Sequence, residues 1–394
     1  MLLRDPFTRK QAIVGSVMKH LKLKLFSCVV LATFISLFLA SGVAEAAAWK
    51  LIPSPSPGVT DNELFSVATV AAHDVWTVGD MTISGGAVQT LTEHWNGTQW
   101  SVVPSPNPGA FRNVLNGVIA ISSNDVWAVG TFNNANDIPQ TLTEHWNGTQ
   151  WSVVHSPNIG HSDNFLNAVT AISTRDVWAV GQFRNASGFF QTLTLHWNGK
   201  KWKVVASPNA GTNSNDLSGV TAIATNDIWS VGNTTVSNGI FQTLTEHWNG
   251  TQWSIVPSPN PDMNNNVLNA VKAVSTSDVW AVGQTATLTL IEHWNGAQWS
   301  VVKSPSPGTN NLLRGVAVVS ATNVWAVGFE VASGLTLIEH WNGTRWSVVK
   351  SPNPSSTLNV LDGAAADPVS HQTWAVGVFF NASGVAQTLT LFHR

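Results

Sequence analysis

The chain has no tyrosine and a single cysteine, Cys28, and charged residues make up only 10% of its 394 positions. Without tyrosine, no chemistry can run through a phenol, whether as nucleophile, acid or radical. Cys28 lies in an apolar run near the amino terminus, so the rest of the chain has no thiol for a disulfide, a metal or a substrate. Stability must then come from packing and from closure of the fold. Residues 1–46 carry Arg4, Arg9, Lys10, Lys19, Lys22 and Lys24 against Asp5 and Glu45; residues 47–394 hold 13 basic and 20 acidic groups, a formal charge of −7. No basic stripe is present to track a phosphate backbone, which excludes nucleic acid as a partner class. The motifs D-x-D-x-D-G, G-x-S-x-G and H-E-x-x-H are also absent.

The amino-terminal basic stretch is followed by the apolar run Leu25 to Ala40 and then by Ser41 to Ala46. Ala44-x-Ala46 fits a signal-peptidase site, which predicts a leader over residues 1–46 cleaved after Ala46, with Met18 as an alternative start. Retention of the run as a membrane anchor is the other reading. Either way residues 47–394 form the working domain, secreted or at the cell surface.

Against these scarcities stand twenty tryptophans, and every one falls on a repeat. Trp76, Trp127, Trp178, Trp229, Trp280, Trp325 and Trp374 are spaced 51, 51, 51, 51, 45 and 49 residues apart, each within a D-V-W-A-V-G-like run. Trp95, Trp146, Trp197, Trp248, Trp294 and Trp341 sit in H-W-N-G; Trp49, Trp100, Trp151, Trp202, Trp253, Trp299 and Trp346 open W-S-V-V-like runs. A period near 50 residues turns a length that would suggest two or three domains into one array.

Within residues 113–160 the apolar alternation predicts four strands: a, 115–121; b, 126–129; c, 141–146; d, 151–154. The Asn147-Gly148 dipeptide between c and d predicts a type I′ hairpin, with positive φ at both residues, and it recurs in six units. Several of these triplets are also glycosylation sequons, as are those at Asn185, Asn233 and Asn381. No segment after residue 46 has helical periodicity. Four strands repeated seven times predict an all-β fold, a single seven-bladed β-propeller of four-stranded antiparallel blades. The seventh unit stops at Arg394 without strand d, whereas Trp49 to Pro55 copies Trp100 to Pro106. The amino-terminal strand, about Trp49 to Pro53, is therefore expected to supply the outer strand of the last blade and remove the open edge.

Each tryptophan offers about 150–250 Å² for burial, or roughly 4–6 kcal/mol gross at ~25 cal/mol/Å², and suits the wedge gaps between blades. Strand a instead carries small residues at Ser66, Gly117, Ala168, Gly219, Ala270, Gly315 and Gly363, as expected where seven strands crowd an axis.

The order h-x-V-x-A-x-x-x-x-D-V-W-A-V-G, T-L-T-E-H-W-N-G and x-x-W-S-V-V-x-S-P resembles a kelch-type repeat of the galactose-oxidase superfamily, with one glycine, for example Gly130, where kelch units have two. It resembles more closely the tandem D-V-W-A-V-G repeats of exported bacterial proteins, over residues 47–394. The resemblance implies the fold and no one activity, because propellers host many functions. Copper radical oxidation and sialidase chemistry, both found on related propellers, are excluded by the missing tyrosine and cysteine.

Seven histidines, His94, His145, His196, His247, His293, His340 and His393, look periodic. Strand c should stand on the order of 15 Å from the axis, leaving equivalent atoms of adjacent blades more than ~10 Å apart. Zinc needs ligands near ~2.0–2.1 Å, so the histidines are expected to bond to a neighbouring blade or loop instead. The same distances disqualify Glu93, Glu144, Glu246, Glu292 and Glu339 as paired catalytic acids, and Asp74, Asp125, Asp176, Asp227 and Asp278 are expected to close the a-to-b turns. No catalytic, cofactor or metal residues are assigned.

The candidate ligand-binding residues are Asn62, Asn113, Asn164, Asn215, Asn266, Asn311 and Asn359, expected at the mouth of the central channel, with Phe189, Phe190 and Phe241 on the b-to-c loops. The amides either meet a ligand or bond locally to fix the incoming loop. The b-to-c and d-to-a connections are the longer ones and vary most, so the binding face is expected there. The function this predicts is an exported, non-catalytic binding or scaffold propeller that takes a glycan or an extracellular protein. A glycosidase or polysaccharide lyase using Asp137, His161, Asp163 or Asp216, and a structural envelope repeat, are the alternatives. A membrane partner enters only through a retained leader.

Overall fold

In the computed structural model, residues 48–394 are described, 161, 212, 237 and 238 excepted, and the expected leader lies outside them. Seven four-stranded antiparallel sheets form a propeller ring, and the described residues contain no helix long and apolar enough to cross a membrane. Blade 2 is representative: strand a is Asn113–Ser122, b Asp125–Asn133, c Pro139–Trp146 and d Trp151–Val153. Strand b is longer than the apolar run predicts because its ladder with strand c continues past Gly130 through Thr131, Phe132 and Asn133, where a glycine and polar residues interrupt the apolar run.

Blade 7 consists of Asn359–Ala366, Thr373–Phe380, Ala386–His393 and, from the other end of the chain, Lys50–Leu51. Lys50 pairs with Phe392 and Leu51 with Leu391. The closure extends beyond that short ladder: Ile52 N donates to Thr390 O at 3.0 Å, and Ser54 Oγ to Thr388 Oγ1 at 2.7 Å.

Cohesion between blades is a tryptophan device. Trp76 of blade 1 leaves its own sheet and packs with Leu115, Val118, Val126, Leu142 and Trp151 of blade 2. Its ring lies 4.9 Å from Trp146 and meets Trp151 edge-on at 5.4 Å. The pattern recurs around the ring, and Trp76, Trp127, Trp178, Trp229 and Trp374 are among the largest fully buried side chains.

Two backbone irregularities set the geometry near the axis. Strand a carries a bulge after its leucine, between Leu115 and Gly117 in blade 2. There strand b must come unusually close, and a Cβ on Gly130 would sit 2.0 Å from Val114 O. This explains the glycine that closes the D-V-W-A-V-G run. At the small positions of strand a, a Cβ on Gly219 would lie 3.0 Å from Ala270 Cα of the next blade, as crowding at the axis requires.

The c-to-d connection corrects one expectation. It is a four-residue loop, Asn147 to Gln150, in which only Gly148 has positive φ, at 94°. Asn147 instead accepts hydrogen bonds on Oδ1 from Thr149 N and Gln150 N at 2.9 and 3.0 Å. The dipeptide is used as an Asx turn followed by a left-handed glycine rather than as a type I′ pair.

The candidate binding face and the axial channel

Each of the seven candidate asparagines begins a strand a and is buried. Asn113 accepts on Oδ1 from Gly109 N at 2.7 Å and donates from Nδ2 to Gly109 O at 2.7 Å and Val88 O at 3.3 Å. Asn359 does the same with Ser355 N, Ser355 O and Gly334 O, and Asn62 with Gly58 N and Ala386 O. Asn164, Asn215, Asn266 and Asn311 likewise hold the loop that precedes them. Their amides clasp the d-to-a loop and do not line the channel mouth, which corrects where the sequence puts them.

The mouth is lined three residues further on, by Phe65, Asn116, Asn167, Ser218, Asn269, Arg314 and Asp362. These are the bulge residues, and the extra residue of a bulge turns their side chains toward the axis. Asn116 Nδ2 donates to Leu166 O of the next blade at 2.8 Å, Asn167 Nδ2 to Leu217 O at 2.8 Å and Asn269 Nδ2 to Leu313 O at 2.7 Å. Arg314 bonds to Asp362 across the next boundary. The signal that could have found this ring is its variability, Phe, Asn, Asn, Ser, Asn, Arg, Asp, inside an otherwise uniform repeat.

Acidic side chains gather behind Asp362 of the mouth. Glu63 and Asp80 face each other as cross-strand partners in blade 1. Burial, then the nearby Asp80, Asp362 and Asp61 carboxylates, push Glu63 up to about 7. Burial also lifts Asp80 to about 6, opposed by Arg112. Glu63, Asp80, Asp61 and Asp362 thus form an acidic cluster at the blade 7–blade 1 boundary, of which Asp362 lines the mouth, with Arg314 and Arg112 beside it.

The b-to-c and d-to-a loops share the face around this mouth, and exposed apolar side chains recur on it: Phe111 (72% exposed), Phe189 (41%), Phe241 (39%) and Met263 (91%), with Val59, Leu288, Val331 and Leu335. Phe190 differs from the expectation: it is half-buried, packs on Phe165 with ring centroids 6.0 Å apart and lies beneath the Arg184 guanidinium at 4.6 Å. Phe111 and Met263 were not legible as site residues because they sit in d-to-a loops with no repeat motif.

The periodic polar residues are structural in place. His145 Nε2 bonds to Asp125 Oδ1 at 2.8 Å, within its own blade rather than a neighbour's, and its ring lies 4.5 Å from Trp127. In blade 6 Asn323 replaces the aspartate and holds His340 at 2.9 Å. His393 is not the seventh member: Phe392 pairs with Trp374 in the histidine register, and His393 takes the tryptophan one. Glu93, Glu144, Glu246, Glu292 and Glu339 are fully buried, with no protein partner on either carboxyl oxygen. Burial pushes Glu144, Glu246, Glu292 and Glu339 up to about 8 and Glu93 well above its usual value.

The acids of the hydrolase alternative are engaged separately. Asp137 accepts from Asn133 Nδ2 at 2.7 Å; Asp163 pairs with Arg184 at 2.7 Å; Asp216 accepts from Asn233 Nδ2 at 2.6 Å and Ser218 Oγ at 3.0 Å. His161 lies outside the described residues. Among the described residues no three His, Cys, Asp or Glu side chains gather as a metal site.

The fold and the channel define a seven-bladed β-propeller, and comparison with solved structures agrees. The chain is similar to YCF48 bound to D1 peptide (14% identity, 89% of this chain and 96% of that one, TM-score 0.54) and to YCF48 from Cyanidioschyzon merolae (16%, 88% and 99%, TM-score 0.55). It is also similar to the extracellular domain of the putative one component system BT4673 from B. thetaiotaomicron (12%, 87% and 39%, TM-score 0.55). No protein-family model and no curated protein matches the chain.

Proposed function

We propose that this is an exported, non-catalytic propeller of kelch-like repeat whose long-loop face seats a segment of another protein. The observation that carries the reading is the set of exposed apolar side chains on that face, Phe111 and Met263 foremost, around a polar mouth. Large exposed apolar residues rimmed by polar ones mark protein interaction surfaces. The acidic Glu63–Asp80 sector favours a partner with a lysine or arginine beside its apolar residues. In this reading the seven asparagines fix the loops' departure, while Phe189 and Phe241 contact the partner. The structure of YCF48 bound to D1 peptide supports the reading by fold alone.

Glycan recognition would rest on Asn116, Asn167 and Asn269 at the mouth. Selection from a random peptide library on the immobilised protein, beside a glycan array, tests the two. Enrichment of apolar peptides carrying a basic residue is expected. Glycan binding with no peptide enrichment would overturn the reading, as would hydrolase or lyase turnover.

A further inference from the structure

Below the mouth the channel is walled by strand a of each blade, and its side chains are small, apolar or hydroxyl-bearing with one exception. Where other blades place Ala68, Ile119, Thr170, Thr221, Ala317 and Ala365, blade 5 places Lys272. Lys272 lines both the cavity under the mouth and a larger one, about 390 Å³, toward the a-to-b hairpins. Val67, Val118, Ile119, Val274, Val318 and Val319 form much of the larger chamber's wall, and Lys272 is its one titratable group.

Lys272 makes no hydrogen bond or ion pair among the described residues. The nearest charges along the channel, Arg314 and Asp362, line the mouth-side cavity and neutralise each other. Burial pulls the Lys272 amine below the ordinary lysine value, and no carboxylate opposes that pull. Lys272 is half-buried, its ammonium reaching the channel without a counterion, so an incoming anion can pair with it without displacing an existing ion pair.

A second departure from sevenfold regularity falls at the same chamber. The a-to-b connection of blade 7 is the long one, spanning residues 367–372, and it places Pro368 on the chamber wall. The loop is built, not slack: Ser370 Oγ donates to Asp367 Oδ2 at 2.6 Å, Val369 N donates to Asp367 Oδ1 at 2.9 Å, and His371 adopts φ of 61°. Val369 beside it is 88% exposed.

We propose that this chamber binds a small organic monocarboxylate, with its carboxylate on the Lys272 ammonium and its hydrocarbon tail against the valine walls. The volume falls within the range of small-molecule sites, roughly 300–1,000 Å³. An inorganic anion would leave the apolar walls uncovered, and a neutral apolar molecule would leave the lysine unpaired. The site is separate from the long-loop face and does not depend on its partner.

Calorimetry with straight-chain carboxylates from acetate to decanoate tests the assignment, with matched primary alcohols as tail-only probes and inorganic phosphate as the charge-only probe. Affinity is expected to rise with chain length, and octanoate to bind at least roughly tenfold more tightly than octanol, a difference of ~1.4 kcal/mol. Lys272→Met should lose that advantage and keep octanol binding. No binding by any carboxylate, equal affinity for octanoate and octanol, phosphate matching octanoate, or unchanged octanoate binding by Lys272→Met would each overturn it. Should Lys272→Met fail to fold, the octanoate and octanol comparison on the unaltered protein decides alone.

Discussion

Trp49 of the amino-terminal strand and Trp325 of blade 6 are far apart in sequence, yet their rings meet edge-on, 5.3 Å apart at 84°. The same contact joins Trp151 to Trp76 at 5.4 Å between blades that are consecutive in sequence. The closing joint is therefore built like the interior ones. Trp49→Ala and Trp151→Ala should each cost about 3–5 kcal/mol in denaturant unfolding, the usual loss for a buried tryptophan. Deleting residues 47–57 should cost more, because it also removes the Lys50–Leu51 ladder. Equal melting temperatures for the deletion and the parent would reject the joint's role.

The five buried glutamates give the ring a pH dependence whose sign is fixed. An unfolded glutamate titrates near 4.3, whereas Glu144, Glu246, Glu292 and Glu339 in the fold are raised to about 8. The folded state holds these protons where the unfolded one releases them, so the contribution of these glutamates to stability is full below about pH 4.3, falls as pH rises and levels off above about 8. Glu144→Gln should raise the melting temperature more at pH 9 than at pH 5. The leucines Leu195 and Leu391 already occupy this register in blades 3 and 7, so Glu144→Leu should also fold.

Blade 6 carries out a natural substitution at the histidine clasp, with Asn323 in place of aspartate at an almost unchanged 2.9 Å. Asp125→Asn should therefore shift unfolding by no more than about 0.5 kcal/mol, as for an ordinary surface change, even though Asp125 is buried. Asp125→Leu, which removes the acceptor from partly buried His145, should cost more.

Asn113 predicts the opposite sensitivity. Alanine there would strand Gly109 N and O, both satisfied by its amide. Each buried unsatisfied group costs about 1–3 kcal/mol, so Asn113→Ala should lower stability measurably. If its melting temperature matched the parent's while partner binding vanished, the asparagine would be a contact residue rather than a loop clasp.

Blade number, strand order and closure are legible because tryptophan appears only on repeats, and Trp49 announces the strand d that the seventh repeat does not itself contain. The channel mouth is not legible, because a bulge after Leu115 shifts the alternation by one residue and aims Asn116 where a regular strand would not. Counting histidines misplaced His393, whose register only the Trp374–Phe392 pairing reveals. Lys272 reads as an ordinary strand lysine until the ring closes around it. The exposure of Phe111 and Met263 depends on how loops without a motif leave the scaffold.

The central claim is that partners meet the long-loop face and not the outer rim, where strand d also exposes apolar residues such as Val153 and Ile255. The direct measurement is the affinity of a library-selected peptide for Phe111→Ser/Met263→Ser and for Val153→Ser/Ile255→Ser, all confirmed folded. The account predicts at least a roughly tenfold loss, ~1.4 kcal/mol, for the first pair and none for the second. Loss confined to the rim pair, or no loss in either, would contradict it.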